Sequence, residues 1–301
     1  MPFRILAIDG GGIRGIYPAH ILKRAQEAFK INFPEHFDLI LGTSTGSIIA
    51  AALAVDYPIG RIVDLYENEG RRIFQKQPFS VRGFFKSQYG KQHLRKLLEE
   101  VFGNRTLSEA KTRLTIPATD ISNGRMYVFK SPYLDEFVRD RNVPIVEAVL
   151  ASCAAPSYFD PQKVGEYLLA DGGLWANNPS MVALTEAIGK LRGNLDEIRL
   201  FSVGAGLGQK YYNPHNAERR KWGLLRGWGG KKLVETLLNL QSISAQNMAW
   251  LILTDKNYLR INFESDGELA LDSTDIISWL KSRADQDFTY NANKIKNFLT
   301  T

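Results

Sequence analysis

The chain has 301 residues, 44% of them hydrophobic and 23% charged, and a formal net charge of +6. That size and composition suit one large or two small globular domains and exclude a disordered or collagen-like chain. No segment approaches the roughly 18 consecutive apolar residues of a spanning helix, and the lone cysteine, Cys153, excludes an internal disulfide and fits a reducing cytoplasm.

The opening residues read as a structural strand rather than a signal peptide, and Arg4–Ile8 is a buried strand candidate. Glycines 10–12 interrupt it, and a helix is predicted from about Tyr17, with Pro18 suited to the first turn. A short apolar strand over 38–42 runs into Gly42-Thr-Ser-Thr-Gly46, followed by a helix over 47–55. Helical patterns cover about 59–76 and 91–102, and strands are predicted at 113–119 and 125–130. Residues 144–153 read as a helix of small apolar residues, where Cys153 is expected to be a buried, inert thiol. A strand at 166–170 leads into Asp171-Gly-Gly173, then come a helix over about 179–191 and a strand over 197–203. Residues 204–230 form a long loop rich in Gly, Trp and cations, of the kind that is functional or mobile. A helix (231–253), a strand (257–263) and a helical tail (about 273–299) follow. The alternation of strands and helices predicts an α/β layered domain with a mostly parallel sheet. No linker marks a second domain, so 1–301 read as one.

Three glycine-rich pieces carry the chemistry. Asp9-Gly-Gly-Gly-Ile-Arg-Gly15 matches the dinucleotide fingerprint after a strand and before a helix. That reading needs an acid at the end of the second strand, whereas the second strand here ends in Gly42-Thr-Ser. The turn can instead be structural, or its consecutive N–H groups can converge on one oxygen as an oxyanion hole, with Arg14 adding positive charge. Gly42-Thr-Ser-Thr-Gly46 places Ser44 on a tight strand-to-helix turn, the setting of an exposed nucleophile. Asp171-Gly-Gly173 is ordinarily a turn signal, but the serine needs a base. In a hydrolase of chain order Ser, Asp, His the histidine follows the acid. Of His20, His36, His93 and His215 only His215 does, and it sits in a polar loop segment with nothing else to recommend it. The economical alternative has Asp171 act directly as base and then acid, with its pKa raised by burial.

In this order and spacing the three motifs resemble the patatin-like phospholipases, over roughly residues 3–205. The resemblance implies a three-layer α/β/α fold and a lipid acyl hydrolase that works through a Ser–Asp dyad without a metal. It implies Ser44 as nucleophile and Asp171 as its partner. Backbone N–H groups at Gly10, Gly11 and Gly12, with Arg14 alongside, would form the oxyanion hole. Gly15, Gly42, Gly46, Gly172 and Gly173 are the remaining motif glycines; many members have Asp-Gly-Ala where this chain has Asp171-Gly-Gly, a tolerated variant. The implied substrate is membrane phospholipid. A subset of bacterial members, compact, cytosolic and basic, acts in antiphage defence after activation by a cyclic nucleotide. Similarity to these implies a cyclic di- or trinucleotide activator rather than a cofactor, and attack on the cell's own membrane.

The charge pattern points the same way. Residues 71–96 hold eight Lys/Arg and no acid, and 209–232 hold seven against Glu218, which suggests an anionic partner. In 79–89, Arg82, Phe84, Phe85 and Lys86 interleave aromatics with cations, as a headgroup-binding segment does, at about 1 kcal/mol per cation. Flanked by Gly83 and Gly90, this segment also reads as a lid, or as an ordinary solvated face. Arg219, Arg220, Lys221 and Trp222 suit either a membrane or a nucleotide, whose base stacks on aromatics. No nucleic-acid motif is recognisable, so nucleic acid is not an expected partner. A homo-oligomer and a peripheral position at the inner membrane surface are expected. The competing readings are a constitutive lipase or esterase and a non-catalytic lipid- or nucleotide-binding module; intact Ser44 and Asp171 argue against the module.

Overall fold

The computed structural model describes residues 2–75, 87–191, 193–208, 227–228, 231–267 and 269–300. Strand β1 (Phe3–Ile8) lies between two parallel neighbours, β2 (Leu39–Gly42) and β7 (Ile198–Val203), which bring Gly42 and Val203 level with Ile8. Beyond β2 comes β3 (Arg113–Asp120) and beyond β7 comes β9 (Tyr258–Ile261), both parallel to their neighbours. The remaining strands of this sheet run antiparallel. Strands β4 (Arg125–Lys130) and β6 (Tyr167–Asp171) pair with β3, and β5 (Gln162–Val164) pairs with β6. A second, two-stranded ribbon joins β8 (Leu207–Gly208) to β10 (Glu264–Ser265).

Parallel strands buried on both faces need unbroken apolar runs. Ile5-Leu-Ala-Ile8 and Leu39-Ile-Leu41 supply them and are fully buried. Alternate side chains of β1 divide two cores. Leu6 and Ile8 face the layer of α1 (Ile16–Phe29), α2 (Phe33–His36), α3 (Thr45–Ala54), α4 (Ile59–Ile73), α5 (Lys91–Phe102), α6 (Ile145–Ser152) and α10 (Ile277–Thr300). Ile5 and Ala7 face α8 (Ser180–Gly189) and α9 (Lys231–Asn257), with the single turn α7 (Gly173–Ala176) packed beside α9. This is the expected α/β/α sandwich with a mostly parallel sheet.

The predicted elements recur with small shifts. The helix after Ser44 begins at Thr45 rather than Ser47, because the tight turn leads straight into it. Helix α9 continues past 253 across a break at Thr254 (φ 57°, ψ 177°). Strand β5 is new relative to the sequence reading; three residues are too few to show alternation. Of the predicted loop 204–230, residues 207–208 form β8, and most of the rest lies outside the described residues. Pro117 sits within β3, where a missing N–H is usually costly. Pairing with β2 ends at Thr115 and pairing with β6 begins at Ala118, so Pro117 falls in the gap between them. No helix among the described residues is long and apolar enough to cross a membrane.

The C-terminal helix α10 closes the larger core against α1. Leu280, Ala284 and Phe288 are buried there. Tyr17 donates to Asp287 (2.8 Å), and His20 (3.0 Å) and Arg24 both meet Asp285. Leu280→Ala is expected to cost about 2–5 kcal/mol in urea unfolding; a loss well below that would show that α10 adds little to the core.

Candidate active site

Ser44 occupies the turn between β2 and α3 with φ 52° and ψ −126°, a conformation that strains a residue with a Cβ by about 1–3 kcal/mol. Close backbone approach holds the turn. A Cβ on Gly42 would strike the backbone of Gly46, and one on Gly46 would strike the carbonyls of Ile8 and Asp9. The Ser44 N–H donates to Ser152 Oγ (2.9 Å), which donates in turn to the Pro117 carbonyl (2.7 Å). The break between β2 and β6 along one edge of β3 thus anchors the serine. Thr45 shares a buried hydrogen bond with Tyr66, and Gly15 packs against the Thr45 hydroxyl.

Asp171 ends β6, and the Ser44 hydroxyl donates to its Oδ2 at 2.7 Å. The other oxygen, Oδ1, accepts the Gly173 N–H at 2.6 Å. Gly172 packs on the Pro117 carbonyl, and Thr119 Oγ1 donates to the Asp171 carbonyl (2.7 Å). Burial pushes the Asp171 carboxyl up to about 7, against the two hydrogen bonds that favour its charged form. The pair lies in a pocket whose walls include Ile48, Ile73, Phe74, Leu94, Phe159 and Leu238. An apolar lining of this kind suits an acyl chain. Cys153 also lines it, and burial raises its thiol well above the ordinary range, so it stays protonated.

The glycine turn borders the same pocket through Gly11 and Gly12. Gly12 has φ +59° and sits against the Leu271 carbonyl, leaving no room for a side chain. Its neighbours' N–H groups are taken: Gly10 donates to Asn177 O (2.9 Å), Ile13 to Leu271 O (2.8 Å) and Arg14 to Gly11 O (3.2 Å). The N–H groups of Gly11 and Gly12 have no partner among the described residues. Two sequence expectations narrow here. The Gly10 N–H is already committed, and the buried Arg14 guanidinium binds the carbonyls of Gly11 (3.1 Å) and Gly206 (2.9 Å) instead of reaching into the pocket. Burial lowers Arg14 to about 10, so it remains charged at neutral pH.

A buried ion pair roots the turn. Arg260 on β9 meets both carboxylate oxygens of Asp9 (3.0 and 2.6 Å) and also bonds Ser202 Oγ (2.6 Å) and Gln246 (2.9 Å). Sequence reasoning missed Ser152, Asn177 and Arg260. A serine closing a mostly apolar helix, 145–152, was a usable signal for the first; nothing local marks Arg260. Among the described histidines, His20 binds Asp285 and His93 binds Glu69 (3.1 Å), and neither oxygen of Asp171 meets an imidazole. His215 lies outside the described residues, as do Arg82, Phe84, Phe85, Lys86, Arg219, Arg220, Lys221 and Trp222.

The model of the patatin-like phospholipases matches residues 6–184. The chain belongs to that family. It is therefore a lipid ester hydrolase by descent, and several patatin-like relatives extend the match. A cGAMP-activated phospholipase of Escherichia coli is 30% identical over 330 residues, covering 98% of this chain and 92% of the relative. A cUMP-AMP-activated phospholipase of Escherichia coli is 29% identical, covering 98% and 93%. A cGAMP-activated phospholipase of Pseudomonas aeruginosa is 34% identical over 206 residues, and the match spans 67% of this chain and 62% of that one.

Arg260 lies outside the matched core yet anchors its first motif. Replacing one partner strands a buried charge, so Arg260→Met is expected to lower stability by about 3–5 kcal/mol in urea unfolding. A cost below about 1 kcal/mol would mean that the pair does not hold the turn.

Proposed function

We propose that the protein is a phospholipase A-type acyl hydrolase that cleaves fatty-acyl esters of membrane phospholipids through Ser44 and Asp171. The observation that carries this reading is the 2.7 Å hydrogen bond from the Ser44 hydroxyl to a buried carboxylate at the wall of an apolar pocket. Asp171 takes the Ser44 proton as Oγ attacks the ester carbonyl. The N–H groups of Gly11 and Gly12 receive the developing oxyanion, a stabilisation worth roughly 10²–10³ in rate per donor. Collapse expels the lysophospholipid oxygen, which takes the proton from Asp171 and leaves an acyl-serine. Water then attacks the acyl carbonyl, gives a proton to Asp171, and the fatty acid departs as the proton returns to Ser44. Glycines 42, 46 and 172 act by letting backbones approach, glycines 15 and 173 by leaving room for the Thr45 and Asp171 side chains, and Gly10 and Arg14 by bracing the turn.

We read 1–301 as one patatin-like domain, a reading supported by β9 extending the same sheet and α10 completing the same core. The activator in this proposal is a cyclic di- or trinucleotide, and the biological role is antiviral defence by attack on the cell's own membrane. Support comes from the names of the Escherichia coli relatives, whose matches run nearly the full length of both chains. The protein would then act at the inner membrane surface while lacking a spanning helix among its described residues.

A base with its pKa near 7 sets the pH response. Only ionised Asp171 accepts the serine proton, so kcat/KM for a soluble ester is expected to rise about tenfold per pH unit below 7 and to level off above it. A profile flat from pH 5 to about 8 would remove Asp171 as the base. The same shift bears on stability. A carboxyl raised by folding favours the fold while protonated, and that contribution is lost as pH climbs from the ordinary 3.8 through about 7. Asp171→Asn is thus expected to melt no lower than the parent above pH 7 while losing nearly all activity; a large drop in Tm would contradict the burial argument.

Phospholipid-vesicle hydrolysis, measured with and without a panel of cyclic di- and trinucleotides, tests the whole proposal. Ser44→Ala should abolish fatty-acid release under every condition and leave nucleotide binding by calorimetry intact. Residual release at parental rates would sink the dyad, and failure of every nucleotide to bind or stimulate would sink the activation.

A further inference from the structure

Helix α9 carries a long exposed face without charge. Between Leu233 and Leu253 its one ionisable side chain is Glu235, which is buried. Leu237 is 56% exposed, Leu240 57%, Met248 44% and Leu251 70%. Spacings of three, eight and three residues set these four along one stripe roughly 20 Å long, with Ser244 in the middle. The opposite face, with Ser242, Ala245, Ala249 and Leu253, is buried against the body of the protein. Scattered exposed leucines are ordinary, but a contiguous uncharged stripe of this kind marks an interaction surface.

The stripe starts at the pocket. Val234 and Leu238, on the same helix, line the cavity that holds Ser44 and Asp171, and Leu174 of α7, itself 44% exposed, lines it beside them. A phospholipid enters that cavity only by leaving a bilayer, and a helix that walls the cavity also presents apolar side chains outward. The sequence leading into the helix, 209–232, is strongly cationic, with seven Lys/Arg against one acid. Cations next in sequence to an apolar helical segment give the chain the composition that anionic headgroups above an acyl boundary attract. A second copy of this chain brings the same +6 charge and the same cationic run, which disfavours self-association on this face.

We propose that the uncharged face of α9 docks on an anionic phospholipid surface and sets the pocket mouth against the bilayer. The proposal rests on the phospholipase reading, and the test separates the two. Met248→Glu together with Leu251→Glu places two charges on the stripe, well away from the pocket. Binding is read by co-sedimentation with mixed phosphatidylcholine–phosphatidylglycerol vesicles in a Ser44→Ala background, so that the vesicles survive. Partition is expected to fall on the order of tenfold. With Ser44 intact, release of fatty acid from the vesicles should fall in parallel while hydrolysis of a soluble short-chain ester is unchanged. Both assays are run with and without the cyclic nucleotides. Vesicle binding within about twofold of the parent, or no binding by the parent in any condition, overturns the docking. So does light scattering that shows a dimeric parent and a monomeric variant, which would make the stripe a self-association surface. Loss of soluble-ester hydrolysis by the parent itself would instead strike the phospholipase reading and leave the binding result standing.

Discussion

The site depends on one hydrogen bond between the ends of two strands that are not neighbours. Ser44 follows β2 and Asp171 ends β6; both strands lie against β3, one beside its first half and the other beside its second. The 2.7 Å contact spans 127 residues of sequence and exists because β3 exchanges partners at Pro117. A residue without an N–H is tolerated where neither neighbour asks for one. Its carbonyl still works there, receiving Ser152 and through it the strained serine. The point where the sheet turns from parallel to antiparallel is therefore the point where Ser44 and Asp171 meet.

The second constraint is electrostatic. A carboxylate in a pocket with apolar walls is costly, and that cost pushes Asp171 up to about 7, the range that the proposed base role requires. Two hydrogen bonds keep the charged form accessible. The environment treats Asp9 differently. It is as deeply buried, but Arg260 meets it with two charge-assisted hydrogen bonds, so it serves as an anchor. The neighbouring Arg14 is likewise absorbed in bracing two carbonyls. Of Asp9, Arg14 and Asp171, it is Asp171 that is left to handle a proton.

The C-terminal third ties into this machinery more deeply than its distance from the motifs suggests. Arg260 roots the first turn, Leu271 receives the Ile13 N–H, and Leu238 walls the pocket. Helix α9 thus has one face in the pocket that holds Ser44 and Asp171 and another, free of charge, on the surface.

Much was legible in the chain itself. Alternating apolar runs and helical periods made the α/β/α layering readable, since buried parallel strands such as Ile5–Ile8 and Leu39–Leu41 cannot be written any other way. Gly42-Thr-Ser-Thr-Gly46 exposed Ser44 as a local matter of turn sterics, and the poor placement of the histidines directed attention to Asp171. What the sequence could not express were properties of pairs brought together by folding. That the Gly10 N–H and the Arg14 guanidinium are already engaged follows from Asn177 and Gly206, far off in the chain. The raised pKa of Asp171 comes from burial, and the Asp9–Arg260 pair from 251 residues of separation. Motif spacing is local and survives in sequence; which donors remain free, and which carboxylate is left to move a proton, is decided only when the sheet closes around them.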